Sequence, residues 1–105
     1  MIGAYVYMVR CSDGKYYAGS TRDELEKRIS EHNAGAYGGY TSKRRPVVLV
    51  YSQHFEQITD AIEVERQLKG WSRAKKEALI AGDFDRVSRL ARSKQTKPHP
   101  STSSG

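Results

Sequence analysis

Five side chains in this sequence could do polar chemistry together if the fold gathers them: Tyr7, Tyr17, Arg28, His32 and Glu65. Arg28 and His32 lie four apart on a segment of helical periodicity, and both border its Leu25 and Ile29 stripe. They therefore flank the face that turns toward the core. A guanidinium there can stabilise charge developing on a phosphoryl group, and a neutral imidazole can accept or pass a proton near neutral pH. The plainer alternatives are an arginine stem laid on apolar surface and a histidine satisfied by a backbone group. Glu65 falls four residues after Ala61 and three before Leu68, inside an apolar stripe that excludes Glu63. A carboxylate in that stripe needs either an ion pair or a bound cation. Arg66 is its sequence neighbour and diverges around the helix, so it does not easily fold back as that partner.

Strand register decides whether the two phenols meet. Residues 4–11 and 16–20 are rich in β-branched and aromatic side chains and flank Ser12-Asp13-Gly14, which is the pattern of a β-hairpin. A two-residue Asp13-Gly14 turn would pair Tyr7 with Ser20 and send Tyr17 to the opposite face. A three-residue loop with Gly14 in the left-handed conformation instead pairs Tyr7 with Gly19 and Tyr17 with Val9. This second register is the expected one. It puts both phenols on one face beside a glycine, leaving space for a phosphate or metal to approach the backbone.

The elements that must carry these residues follow from pattern. Thr21 and Glu24 have capping-box spacing, and a helix is expected over residues 23–33 with Gly35 as its stop. Residues 35–45 read as a loop. Its Tyr37, Tyr40, Thr41, Lys43, Arg44 and Arg45 suit either a mobile segment that stacks on bases and grips phosphates or an ordinary surface loop. Residues 47–52 are short and β-branched, hence a third strand. Helical periodicity returns from Thr59 to Gly70; Ser72 can cap a further helix to Gly82, and Asp83 a last one with Phe84, Val87 and Leu90 on its apolar side. Trp71, between Gly70 and that cap, reads as the seal of a helix joint. The expected fold is α+β, a small three-stranded antiparallel sheet flanked by helices in the order β-β-α-β-α-α-α. From Ser93 no large apolar residue remains, so one domain over 1–92 and a disordered basic, polar tail over 93–105 are expected.

Composition narrows the class. With 105 residues and 37% apolar content the chain can build one modest core. Its single cysteine, Cys11, cannot form an internal disulfide and reads as a small apolar residue. With His32, His54 and His99 it gives no zinc spacing. No long apolar run or leader is present, so a cytoplasmic location is expected. The net charge of +6 is concentrated at Lys43, Arg44 and Arg45, at Arg73, Lys75 and Lys76, and toward the end of the chain. Such clusters favour a nucleic-acid partner. The sequence contains no nucleophile elbow, phosphate loop or dinucleotide fingerprint.

Taken in order, Tyr5-Val6-Tyr7, Tyr17-Ala18-Gly19, Arg28, His32 and the segment Ala61-Ile62-Glu63-Val64-Glu65 resemble the motifs of the GIY-YIG nuclease superfamily over residues 4–76. The likeness is greatest to its small standalone bacterial branch. The resemblance implies that Tyr7 helps activate the attacking water, Tyr17 organises the site, Arg28 stabilises a pentavalent phosphate and His32 assists proton transfer. Glu65 would be the sole protein ligand of one divalent ion, and a mostly water-coordinated ion suits Mg²⁺ or Mn²⁺. A tyrosine base must lower its pKa from about 10 or hand its proton on through water.

The reading that results is a metal-dependent endonuclease hydrolysing DNA phosphodiester bonds, structure-selective and acting in repair or recombination. DNA rather than RNA is the expected partner, gripped by Tyr40, Thr41, Lys43, Arg44, Arg45, Arg73, Lys75 and Lys76. A monomer is expected, with targeting left to basic loops, nucleic-acid shape or a protein partner in place of a second domain. Tyr5 and Ala18 replace the first-motif glycine and the middle residue of the second. They leave open a non-catalytic nucleic-acid-binding module; a protein-interaction adaptor for an acidic partner is the other alternative.

Overall fold

In the computed structural model, which describes residues 3–36 and 41–95, strands β1 (Ala4–Arg10) and β2 (Tyr16–Thr21) form the expected hairpin. Its loop closes as Cys11 N donates to Lys15 O at 2.8 Å and Gly14 N donates to Cys11 O at 2.9 Å. Gly14 has φ +84°, a conformation that costs a residue with a Cβ but not glycine. The register that follows pairs Tyr7 with Gly19 and Val9 with Tyr17. Both phenols therefore rise from the same face.

Strand β3 (Val48–Phe55) pairs antiparallel with β1, giving the order β2-β1-β3. The central strand is covered on both faces, with Val6, Tyr7, Met8 and Val9 each no more than 1% exposed. On one face Tyr7, Val9, Cys11 and Val47 form a cluster, and Tyr17 packs against it with Leu25 and Ile29 of helix α1 (Leu25–Asn33). Helix α2 (Ile58–Lys69) packs on all three strands and buries Ala61 and Leu68. Its Glu65 bonds to Ser20, whose register partner is Val6 rather than Tyr7, so α2 covers the opposite face.

Several boundaries differ from expectation. Helix α1 begins at Leu25 and its N-cap, Glu24, makes no side-chain cap bond. Thr21 ends β2 instead, and its Oγ1 accepts from Asp23 N at 2.9 Å, which closes a turn rather than a capping box. Strand β3 runs on to Phe55 because the far end of β1 needs a partner: Ala4 pairs with Phe55 and Tyr5 with His54. Val48 and Leu49 are left 52% and 37% exposed on this edge strand.

The chain divides after Gly70 into two compact units, where the sequence suggested one body over 1–92. The second unit holds α3 (Arg73–Ile80) and α4 (Phe84–Gln95), which pack on each other. Ser72 Oγ caps α3 by accepting from Lys75 N at 3.2 Å, and Asp83 Oδ1 accepts from Arg86 N at 3.1 Å, as their positions foretold. Phe84 departs from its expected apolar side and is 65% exposed. Helix α4 continues through Gln95, past the boundary expected at Ser93. The rest of that tail, together with Tyr37 and Tyr40, lies outside the described residues. Among the described residues no helix is long and apolar enough to cross a membrane.

Because the left-handed Gly14 sets the register, Gly14→Ala should lower unfolding stability by ~1–2 kcal/mol. Gly14→Asn should cost less, because asparagine tolerates that conformation. Urea denaturation of the two variants checks this, and equal losses would remove Gly14's backbone conformation as the cause.

Candidate active site

The inner part of the site is a buried hydrogen-bonded row. Tyr7 Oη lies 2.9 Å from His32 Nε2, and His32 Nδ1 lies 2.9 Å from Thr41 Oγ1. All three residues are nearly sealed, at 1%, 3% and 2% exposure. Either ring tautomer satisfies both bonds, with the direction of donation along the row reversed. The Tyr17 ring meets the same imidazole edge-on, its centroid 5.6 Å away. A Cβ added at Gly19 would sit 2.5 Å from Tyr7 Oη and 2.7 Å from its ring carbon Cζ. The second-motif glycine is thus required sterically, since the first-motif phenol occupies the volume its side chain would need.

Local bracing holds this row in place. Asn33, next to His32, accepts from Val47 N at 2.7 Å and donates to Val47 O at 3.1 Å through its side chain. The end of α1 is thereby tied to the residue before β3. Arg44 Nε donates to Asp13 Oδ2 at 2.9 Å while Ser12 N donates to Arg44 O at 2.9 Å, which pins residues 41–45 to the hairpin turn. Arg45 donates to the carbonyls of Ser42 and Asn33. These contacts correct the expectation for Thr41: its hydroxyl serves His32 and is not presented on a surface.

Electrostatics keep the imidazole neutral. Burial pushes the His32 pKa below its ordinary 6.5, the nearby Arg28 charge pushes the same way, and Glu31 opposes them. Arg28 is half-buried and lies 3.9 Å from Asp23 Oδ2 and 3.8 Å from Glu31 Oε1, longer than charge-assisted hydrogen bonds. The Cys11 thiol is buried and its pKa is raised, first by burial and then by Asp13, which fits an apolar role rather than a nucleophile.

Glu65 stands at the other side of the site. Ser20 Oγ donates to its Oε1 at 2.6 Å, and Lys69 Nζ holds its Oε2 at 2.8 Å. The Lys69 ammonium also lies 5.6 Å from the centroid of the Tyr17 ring. That side chain thus joins a carboxylate bonded on one face of the sheet to a ring rooted on the other. The Glu65 hydrogen bond raises the Lys69 pKa despite partial burial, so the ammonium stays charged. Among the described residues no three His, Cys, Asp or Glu side chains gather as a metal cluster. A cation here would be held by one carboxylate and water, as a hard divalent ion accepts. The donors fit it: Glu65 already holds a positive charge, and the Ser20 bond fixes its orientation.

Of the five residues singled out in the sequence, Tyr7, Tyr17 and His32 meet directly, Arg28 acts on the charge of His32, and Glu65 connects through Lys69 and Tyr17. The structure seals Tyr7 and His32 and leaves Tyr17, Arg28 and Glu65 half-buried. Ser20 and Lys69 escaped the sequence reading; the one-turn Glu65 to Lys69 spacing was the available signal for the second, and Ser20 had none beyond register. Among the basic residues assigned to nucleic acid, Lys43 is exposed and Arg44 and Arg45 carry the bonds described above. In the second unit, Arg73 pairs with Glu77 at 3.2 Å, Lys75 Nζ lies 4.1 Å from the Trp71 ring centroid and Lys76 is half-buried.

Residues 3–78 match the GIY-YIG catalytic domain, and the chain belongs to that family, which places it in a nuclease superfamily. Within it, the chain is similar to a UPF0213 protein of Halobacterium salinarum, at 45% identity over 76 residues that cover 72% of this chain and 97% of that one. A UPF0213 protein of Staphylococcus saprophyticus is 46% identical over 77 residues, covering 73% and 93%. Two solution NMR structures share the fold. The UPF0213 protein of Bacillus halodurans matches with TM-score 0.50 and 34% identity over 85% of this chain and 97% of that one. A protein of E. faecalis matches with TM-score 0.52 and 30% identity over 98% and 97%.

Two outcomes follow from this geometry. Gly19→Ala should cost ~1–3 kcal/mol of stability by overpacking, and should shift the imidazole NMR signals of His32 as Tyr7 is pushed off Nε2. Unchanged signals would mean that Tyr7 does not fill the glycine's space. The second concerns pH. The folded pKa of His32 lies below 6.5, so the unfolded chain takes up the proton first as pH falls. Stability is then lost as pH drops from the unfolded value toward the folded one. Melting temperatures measured between about pH 7.5 and about pH 5.5 should fall for the native chain and fall less for His32→Gln.

Proposed function

We propose that the chain is a metal-dependent endonuclease that hydrolyses phosphodiester bonds in DNA, with Tyr7, Tyr17, Arg28, His32 and Glu65 as its working residues. The observation that carries this reading is the Tyr7-His32-Thr41 row, a neutral imidazole hydrogen-bonded to a phenol that fills the space a Cβ at Gly19 would need. A structural histidine needs hydrogen-bond partners; it does not need a second phenol against its ring and a guanidinium that adds to burial in lowering its pKa.

In this mechanism the phosphate is received over the half-buried members, Tyr17 and Arg28. Arg28 neutralises charge on the equatorial oxygens. The proton released by the attacking water passes to the Tyr7 and His32 pair; in the tautomer whose Nδ1–H faces Thr41, Nε2 accepts from Tyr7 and makes the phenol oxygen more basic. Glu65, held by Ser20, would bind one Mg²⁺ or Mn²⁺, which when bound supplies positive charge to the leaving oxygen. The substrates proposed are those of DNA repair or recombination, with the basic residues supplying a salt-sensitive grip.

A second reading is a nucleic-acid-binding module of the same fold without catalysis. The burial of Tyr7 and His32 and the Lys69 charge on Glu65 favour it. Cleavage of branched and linear DNA with Mg²⁺ or Mn²⁺ decides between them. Glu65→Ala and Arg28→Ala should each lower the rate by about a hundredfold or more. Equal rates for all three proteins would remove the site, and salt-sensitive binding with no cleavage would establish the binding module.

A further inference from the structure

We propose that the Lys69 ammonium is the resident cation of Glu65, and that a divalent ion binds this carboxylate only by displacing it. The inference rests on the reading of Glu65 as the metal ligand. Both oxygens of Glu65 are occupied: Oε1 accepts from Ser20 Oγ at 2.6 Å and Oε2 is held by Lys69 Nζ at 2.8 Å. The Ser20 hydroxyl is neutral and can remain beside a metal ion as an orienting group. The ammonium cannot, since a divalent ion sits only about 2 Å from its carboxylate oxygen and two cations at that spacing repel strongly in a half-buried site.

The fold gives the displaced side chain somewhere to go. Lys69 is the last residue of α2 and its side chain is 49% exposed, against 17% for Glu65. Its ammonium already lies 5.6 Å from the centroid of the half-buried Tyr17 ring, so a swing away from Glu65 carries positive charge toward that phenol. An anion arriving there would draw Lys69 off the carboxylate and leave Glu65 available to the ion. Lys69 is thus a positioning residue: it holds the ligand in shape when no ion is bound and sets how readily one enters.

The test uses the full chain and Mn²⁺ alone, read by paramagnetic broadening of the amide signals of Glu65 and Ser20 in NMR, with no activity required. Lys69→Met keeps the length and helix propensity of the side chain and removes the charge. Its apparent Kd for Mn²⁺ should be about threefold to tenfold lower than that of the native chain. Lys69→Arg, which keeps a cation, should bind like the native chain, and Lys69→Gln serves as a second neutral variant if the methionine chain does not fold. Equal or weaker Mn²⁺ binding by the neutral variants overturns the role of Lys69 while leaving Glu65 as a metal ligand. Absence of broadening in every variant, matching a Glu65→Gln control, overturns this inference and the metal reading of Glu65 together.

Discussion

The structure depends on one steric constraint: the Tyr7 phenol lies in the space above Gly19. That contact exists only because the hairpin loop has three residues, with Gly14 left-handed, and so sets Tyr7 opposite Gly19. A slip of one residue would oppose Tyr7 to a serine, exchange the faces of every β2 side chain and separate the phenols. The same register serves the other half of the site. It directs Tyr17 toward His32, leaves Gly19 open to the Tyr7 phenol, and points Ser20, the next residue in the alternation, toward Glu65. A single choice of loop length therefore delivers side chains to both faces of a sheet edge.

The two halves differ in charge because they differ in water. Tyr7, His32 and Thr41 are sealed, and a sealed imidazole is kept neutral by the cost of burying its charged form, with the Arg28 guanidinium adding to that bias. Glu65, Lys69 and Arg28 reach solvent in part, so their interactions are Coulombic and screened. Lys69 is the junction, paired to the carboxylate and close to the Tyr17 ring. The site accordingly has a neutral interior and a charged rim.

All five residues of the site lie in the first compact unit, residues 1–70. The family match runs to residue 78, and the relatives from Halobacterium and Staphylococcus align over nearly their whole lengths with less than three quarters of this chain. The basic residues are also less free than their clustering in sequence implies. Arg44 is bonded to Asp13, Arg73 to Glu77, and Lys75 covers Trp71. Net charge counted along a sequence overstates the positive surface wherever such local pairs form.

Much was decided by local pattern. Element order, the hairpin register and the Ser72 and Asp83 caps were legible because turn chemistry and side-chain period act over a few residues. Other features were not local. The start of α1 shifted because Thr21 was claimed by β2; Phe84 stayed exposed although the helical period placed it on an apolar side; and β3 extended to Phe55 because β1 offered it partners. The partners of the site residues were the least legible. Thr41 under His32 and Ser20 on Glu65 join positions 9 and 45 residues apart, and only the folded chain, by bringing buried groups together that must satisfy one another, could select them.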